Sequence, residues 1–242
     1  METHAHHLHK APGKNWTHYL FEFLMLFLAV FCGFLAENFR EHLVENRKEK
    51  EYIRSYIGDL KQDSSELVQI ISAIDQKLLY RDSLLKELSD PGIFKNSSTA
   101  YYYLVASYHF PDFIYNDRTI QQLKNSGGMQ LIRNKSVSDS IMDYDSYVRT
   151  LFIHQEMMNQ ISLNFAGLSN RLFQKRLLDT VNHGSTTSAI PLLSNNKNEL
   201  EEFYNNMSDQ RAGFLRLKFL DQELLEKATR LIGFIKKEYH LQ

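Results

Sequence analysis

An apolar stretch near the amino terminus constrains the fold of this chain more than any other feature. No charged side chain occurs between Phe23 and Ala36. Trp16 to Phe21 on one side and Phe39 on the other extend the stretch to the length of about 20 residues that a bilayer requires. Trp16 and Tyr19 would lie at the headgroup level, which amphipathic rings favour. The sequence therefore predicts a transmembrane helix over residues 16–39.

Two alternatives share this length and composition. A buried helix of a soluble domain is disfavoured, because large apolar residues cover every face of the segment. A cleaved signal peptide is disfavoured, because no small-x-small cleavage site precedes Ala36 and the helical periodicity continues past it. Glu22 and Glu37 lie towards the ends of the segment, where a carboxylate can reach the interface or find a partner.

A seam of positions spaced alternately by three and four residues continues from this segment to residue 88. Such spacing is typical of a long helix that packs along one side. From residue 53 onward the seam positions are Ile53, Ile57, Leu60, Ser64, Leu67, Ile71, Ile74, Leu78, Arg81, Leu85 and Leu88. Asp90-Pro91-Gly92 then provides a stop signal. One helix from about Trp16 to Ser89 is the simplest interpretation.

The rest of the chain is also predicted to be helical. Short helices are expected over 97–110 and 117–128, the second one ended by Gly127 and Gly128. Long helices are expected over 136–181 and 199–239, with a polar loop between them. No alternating strand pattern or phosphate-binding glycine motif is present in the sequence.

These elements predict an all-α fold. The N-terminal transmembrane helix would continue into an elongated up-down-up helical bundle of three long helices plus two short ones. The predicted domains are a flexible His-rich tail at 1–15, the transmembrane helix at 16–39 and the bundle domain at 40–242.

Small residues on one side of the apolar segment predict a packing face. Glu22, Ala29, Gly33 and Ala36 share this side, and Ala29 with Gly33 forms a small-xxx-small pair. The expected partners are the lipid bilayer and a second copy of the chain (a homo-oligomer) or another membrane protein. In the alternative interpretation, small residues are simply common in membrane helices and the seam packs only within the chain.

Charge and cysteine content exclude some classes of function. The chain has 28 basic and 29 acidic residues and a net charge of −1, without a basic stripe, so no nucleic-acid partner is expected. Cys32 is the only cysteine, so a disulfide framework or a cysteine zinc site within one chain is impossible. No cofactor is predicted.

Two patterns are weak candidates for chemistry. The N-terminal histidines could wrap a metal ion, although they lack a rigid scaffold. They are His4, His6, His7 and His9. Arg149 and His154 have the Arg-x4-His spacing of HEPN-like ribonucleases, which they resemble in spacing alone. A similar pair, Arg176 and His183, shows that chance produces such matches, so we expect no enzyme and keep a membrane-tethered ribonuclease as the alternative.

A set of tyrosines offers a third, weaker candidate. These side chains could line a ligand groove, but such clusters more often pack in a core or at its rim. They are Tyr101, Tyr102, Tyr103, Tyr108 and Tyr115.

The distribution of basic residues bears on topology. Two lysines precede the apolar segment and five basic residues follow it closely. The positive-inside rule therefore favours a cytoplasmic bundle, with an arrangement outside the cytoplasm as the alternative. The expected location is the bacterial inner membrane, crossed once.

Two stretches also resemble known sequences. They are EFLMLFLAVFCGFLAENFRE with the following KEKEYIRSYIGDLKQD, and TIQQLKNSGGMQLIRN at 119–134. Together they resemble uncharacterised bacterial single-pass membrane proteins with an N-terminal transmembrane helix and a helical C-terminal domain. The resemblance implies membrane anchoring and a helical fold. The expected function is a self-associating, non-enzymatic scaffold, sensor or interaction module.

Overall fold

The fold is built from α-helices. A computed structural model describes residues 16–108, 110–182 and 189–241, and no strand occurs in those ranges. The helices are α1 (Trp16–Leu88), α2 (Ser98–Ser107), α3 (Arg118–Asn125), α4 (Lys135–Leu172), α5 (Lys175–Asn182) and α6 (Lys197–Glu238), with a 3-10 turn at Gly128–Leu131. The all-α class and the long N-terminal apolar helix are thus confirmed. The chain divides into two compact units, Met1–Glu49 and Lys50–Gln242.

The described part of the first unit consists of α1 alone. All of its side chains from residue 16 to residue 44 are exposed. An 18-residue window of α1 has a mean hydropathy of 2.2, and none of that window is buried. The first unit therefore contains a segment that is long and apolar enough to cross a membrane.

The second unit has two core clusters, which fix the directions of its long helices. The first cluster contains buried side chains of α1 (Ile53–Leu78), α4 (Val137–Met158) and α6 (Phe214–Ile235). The second contains side chains of α1 (Leu84 and Leu88), α4 (Phe165 and Leu172) and α6 (Leu200–Met207). Both α1 and α4 run from the first cluster to the second, whereas α6 runs back. The directions are therefore up-up-down, which differs from the expected up-down-up order.

The chain between α1 and α4 explains this difference. We call residues 110–119 the return segment. Its backbone amides donate to carboxylates of α1: Ile114 N to Glu66 Oε1 (3.1 Å), Asn116 N to Asp63 Oδ1 (3.0 Å) and Thr119 N to Asp59 Oδ2 (3.0 Å). The partners step back along α1 as the return segment advances. The chain therefore comes back to the start of the bundle before α4 begins.

The predicted helix over 136–181 is in fact two helices. α4 ends at Leu172, and Phe173 adopts an extended conformation with φ −113 and ψ 137. The Phe173 ring lies 5.0 Å from the Tyr101 ring and 5.3 Å from the Phe203 ring. Gln174 N donates to the Tyr101 hydroxyl at 2.7 Å. Phe173 N still donates to Ser169 O, whereas Gln174 N bonds a side chain instead of a helical carbonyl, and the predicted helix is divided at Phe173.

The seam of α1 packs largely as predicted. Most of its positions from Ile53 to Leu88 are buried, although Ile70 is buried where Ile71 was expected. α1 ends at Leu88, one residue earlier than the predicted Ser89. In the turn that follows, Gly92 N donates to Asp90 Oδ1 at 2.6 Å. Gly127 has φ 69, a left-handed conformation that glycine adopts without strain and that ends the α3 region.

Asp63 is expected to stabilise the second unit more than a surface carboxylate does. It accepts hydrogen bonds from Asn116 N, Asn116 Nδ2 (2.8 Å) and the Tyr144 hydroxyl (3.0 Å). Asp63→Ala leaves these donors without an acceptor and should lower the free energy of unfolding by about 2–4 kcal/mol in urea titrations.

Asp75→Ala is the matched control on the same helix. The Asp75 side chain is 51% exposed and pairs with Lys218. An exposed pair of this kind contributes less than about 1 kcal/mol. Equal losses in the two variants would contradict the role assigned to Asp63.

Candidate functional site

The predicted packing face lies on the exposed surface of α1. Glu22, Ala29, Gly33 and Ala36 share one side, because their spacings are close to whole helical turns. All four are exposed, and a Cβ added at Gly33 would meet nothing within 4 Å. Their role in packing remains a prediction.

Arg149 and His154 have partners within the bundle. The Arg149 guanidinium pairs with the buried Asp145, which also accepts from Lys124 Nζ at 2.6 Å. His154 Nδ1 lies 2.9 Å from the carbonyl oxygen of Thr150, one turn earlier in α4. These contacts give both side chains local structural partners and do not add support for the ribonuclease hypothesis.

The other sequence candidates do not form a site in the described residues. His4, His6, His7 and His9 lie outside them, as does His183. Within residues 16–108, 110–182 and 189–241, no group of three or more His, Cys, Asp or Glu residues is arranged to hold a metal.

The tyrosines do not share one groove. Tyr101 packs against Phe173, Tyr102 and Tyr103 pack around Tyr80, and Tyr115 lies beside Tyr144. Tyr108 alone of the set lines the cleft described next.

A cleft between α4 and α6 was not predicted from the sequence. It has a volume of about 330 Å³, and residues at the start of the return segment lie along it. Its aromatic wall consists of Phe110, Phe165 and Phe214. Its polar and charged lining side chains are Tyr108, Asp112, Gln155, Asn159, Ser162, Gln210 and Asp221. The cleft therefore combines apolar walls with a few polar groups, as small-molecule sites do.

Asp221 is the most unusual group in the cleft. Its side chain is 3% exposed, and Oδ1 has no hydrogen-bond partner. Burial raises the pKa of the Asp221 carboxyl to about 7, and the nearby charge of Asp112 adds to the shift. A buried carboxylate without a partner is costly. Asp221 is therefore held in an environment that disfavours its charged form.

Arg81 is a second buried charge near one end of the same cleft. It is 1% exposed, and its guanidinium lies 4.9 Å from the Phe110 ring and 4.8 Å from the Phe214 ring. It donates to Gln210 Oε1 at 2.7 Å. Burial lowers the pKa of Arg81 to about 10, so the side chain remains charged at neutral pH. The aromatic faces and the amide stabilise the charge in place of a carboxylate, while Arg81 Nε has no hydrogen-bond partner.

The two buried charges do not neutralise each other. Arg81 bonds Gln210, whereas Asp221 lies eleven residues further along α6, about 16 Å at 1.5 Å per residue. No ion pair between them occurs among the described residues. Helical periodicity places Gln210, Phe214, Leu217 and Asp221 on one face of α6, and that face forms one side of the cleft.

The fold defines an all-α protein, and among its described residues one helix is long and apolar enough to cross a membrane. No family model, curated protein or solved structure matches the chain.

Asp221 should make the stability of the second unit depend on pH. The folded state holds the Asp221 proton up to about pH 7, whereas an unfolded aspartate loses it near about pH 4. The free energy of unfolding should therefore fall as the pH rises through this window. Asp221→Asn removes this loss, so we expect it to be about 1–3 kcal/mol more stable than the parent at pH 8, with little difference at pH 4.

The measurement is urea unfolding of the full chain in detergent at both pH values. Asp143→Asn is the control, because the Asp143 side chain is 73% exposed. If the difference between Asp221→Asn and the parent were the same at pH 4 and pH 8, the assignment of the raised pKa would be wrong.

Proposed function

We propose that the protein is a membrane-anchored, self-associating helical module that acts as a scaffold or sensor and has no enzymatic activity. The exposure of the apolar segment is the observation that carries this proposal. Ten aromatic and aliphatic side chains at residues 16–28 are exposed on all sides of α1, and seven more follow up to Val44. They are Trp16, Tyr19, Leu20, Phe21, Phe23, Leu24, Met25, Leu26, Phe27, Leu28, Val30, Phe31, Phe34, Leu35, Phe39, Leu43 and Val44.

A lipid environment best suits this apolar surface. Soluble proteins rarely expose a continuous apolar patch of such extent. Helices also satisfy their own backbone hydrogen bonds, so α1 meets the main requirement for crossing a bilayer. The proposed location is the bacterial inner membrane, with one crossing and with the bundle in the cytoplasm. The basic residues that follow the segment support this orientation.

Self-association is proposed through the packing face of Glu22, Ala29, Gly33 and Ala36. Small side chains allow two helix backbones to approach closely in lipid, where van der Waals contact replaces the hydrophobic effect as the driving force. Because α1 also supplies the seam of the bundle, we propose that a change in association at this face acts on the bundle through α1. This coupling would provide a mechanical route for a sensor.

Membrane insertion can be tested by charging the segment. The double variant Phe27→Arg/Phe31→Arg places two cations near the middle of the segment, each costing about 2.5–3.5 kcal/mol on insertion. The parent should remain in the membrane fraction after alkaline carbonate extraction, and the double variant should be released.

Val68→Arg/Leu79→Arg is the matched control, because both side chains are exposed on α1 in the second unit. It should stay in the membrane fraction. Release of the parent protein by carbonate would overturn membrane anchoring. Protease treatment of intact spheroplasts then reports the side, since a cytoplasmic bundle is cleaved only after lysis.

Association can be tested with bulky residues on the packing face. Ala29→Leu and Gly33→Leu should each weaken association by at least about fivefold, equivalent to about 1 kcal/mol, because the added side chains keep two helices apart. Energy transfer between labelled copies in vesicles measures the change. Phe31→Leu, on the opposite side of α1, is the control and should associate like the parent. Unchanged association in both packing-face variants would remove this face from the proposal.

A further inference from the structure

We propose that the cleft between α4 and α6 binds a small organic cation, an ammonium group on a short apolar body, with Asp221 as its counter-ion. This site belongs to the second unit alone and does not depend on the proposed membrane function. Three features of the cleft support the choice of ligand: the sign of its charges, the buried Asp221 Oδ1 without a hydrogen bond and the aromatic wall.

The charged lining residues of the cleft are both acidic. Asp112 and Asp221 line it, and no lysine, arginine or histidine is among its described lining residues. Arg81 is close to one end but is not a lining residue, and its guanidinium contacts the Phe110 and Phe214 rings and Gln210. An anionic ligand would therefore meet two carboxyl groups, whereas a cation would be attracted to them.

Asp221 Oδ1 lacks a hydrogen-bond donor, and an ammonium ligand would provide one. Oδ1 is buried without a hydrogen bond, although buried polar groups are nearly always satisfied in folded proteins. An ammonium group donates up to three hydrogen bonds and carries the charge that a buried carboxylate requires. Gln155 and Asn159 of α4 line the same cleft and offer amide oxygens for the remaining donors.

The rest of the cleft suits an apolar body. Phe110, Phe165, Phe214 and the thioether of Met158 line it together with Leu217. Aromatic faces attract both apolar groups and cations, and methionine adapts its shape to what it contacts. A volume of about 330 Å³ lies at the small end of the range for ligand pockets, about 300–1,000 Å³. The ligand should therefore be small.

A second groove between α4 and α6 lacks a buried carboxyl of this kind. It is larger, about 590 Å³, and is lined by Asp143, Lys227 and Arg230 among others. Lys227 Nζ lies 3.2 Å from Asp143, and Arg230 lies 3.3 Å from Glu226. Asp139, which also lines the groove, is exposed to solvent. The charged lining residues of that groove are thus paired or exposed, and the proposal is restricted to the cleft at Asp221.

The test compares three probes that share one apolar body and differ in charge. These are 2-phenylethylammonium, the neutral 2-phenylethanol and the anionic phenylacetate. Binding to the full chain in detergent is measured by calorimetry at pH 8, where an Asp221 carboxyl with a pKa of about 7 is mostly ionised. Detergent micelles without protein provide the correction for partition of the probes. We expect the ammonium probe to bind at least tenfold more tightly than the other two.

Variants then identify the site. Asp221→Asn should weaken binding of the ammonium probe at least tenfold, and Asp143→Asn should leave it unchanged. Ala166→Met narrows the cleft, which Ala166 lines, without touching either carboxyl group, and should also abolish binding. Circular dichroism establishes that each variant is folded.

Several results would overturn the proposal. One is the absence of saturable binding of the ammonium probe to the parent protein. Another is equal binding of all three probes, which would indicate an apolar cleft without a cation subsite. A third is undiminished binding of the ammonium probe in both the folded Asp221→Asn and Ala166→Met variants, which would place the probe elsewhere.

Discussion

The second unit depends on one face of α1, because both of its core clusters include side chains from that face. Ile53 to Leu78 pack in the first cluster, and Leu84 and Leu88 pack in the second. The neighbouring face of α1 carries Asp59, Asp63 and Glu66, which accept the amides of the return segment. One helix thus supplies both the apolar surface for α4 and α6 and the acceptors for a segment that is largely non-helical. The parallel arrangement of α1 and α4 follows from this second set of contacts.

The bundle accommodates two buried charges in different ways. Arg81 stays charged, because aromatic faces and the Gln210 amide stabilise the guanidinium. Asp221 has no comparable contacts at Oδ1, and its raised pKa reflects a carboxyl that is easier to bury as the neutral acid. The cost of burying Arg81 is therefore offset in part within the fold, although its Nε, like Asp221 Oδ1, has no hydrogen-bond partner. Asp221 differs in that it lines the cleft, and a buried carboxyl of this kind in a cleft is a candidate for completion by a ligand.

Local signals in the sequence predict the helices but not their arrangement. The apolar segment, the seam of α1 and the stops at Asp90-Pro91-Gly92 and Gly127 follow from periodicity and from glycine and proline chemistry. The break at Phe173 depends on contacts with Tyr101 and Phe203, which are distant in the sequence. The order of helix directions depends on hydrogen bonds between α1 and the return segment. Neither has a local signature.

The cleft was missed for a related reason. Gln155, Asn159 and Asp221 are polar residues in helical stretches, and such residues usually face water. Helical spacing does place Asp221 in register with Phe214 and Leu217, so the face of α6 was predictable. The burial of Asp221 was not predictable, because it depends on how α4 and the return segment pack around α6. A polar residue in register with an apolar face is the signal that could have indicated the site.

Cys32 gives the chain a natural chemical label. It is the only cysteine in the sequence, and its side chain is exposed on α1 within the apolar segment. A thiol reacts with water-soluble maleimides through its thiolate, which requires contact with water. The labelling rate of the unmodified protein therefore measures the hydration around residue 32 directly. Detergent, vesicles of different thickness and whole cells can be compared on this scale without introducing or removing any residue.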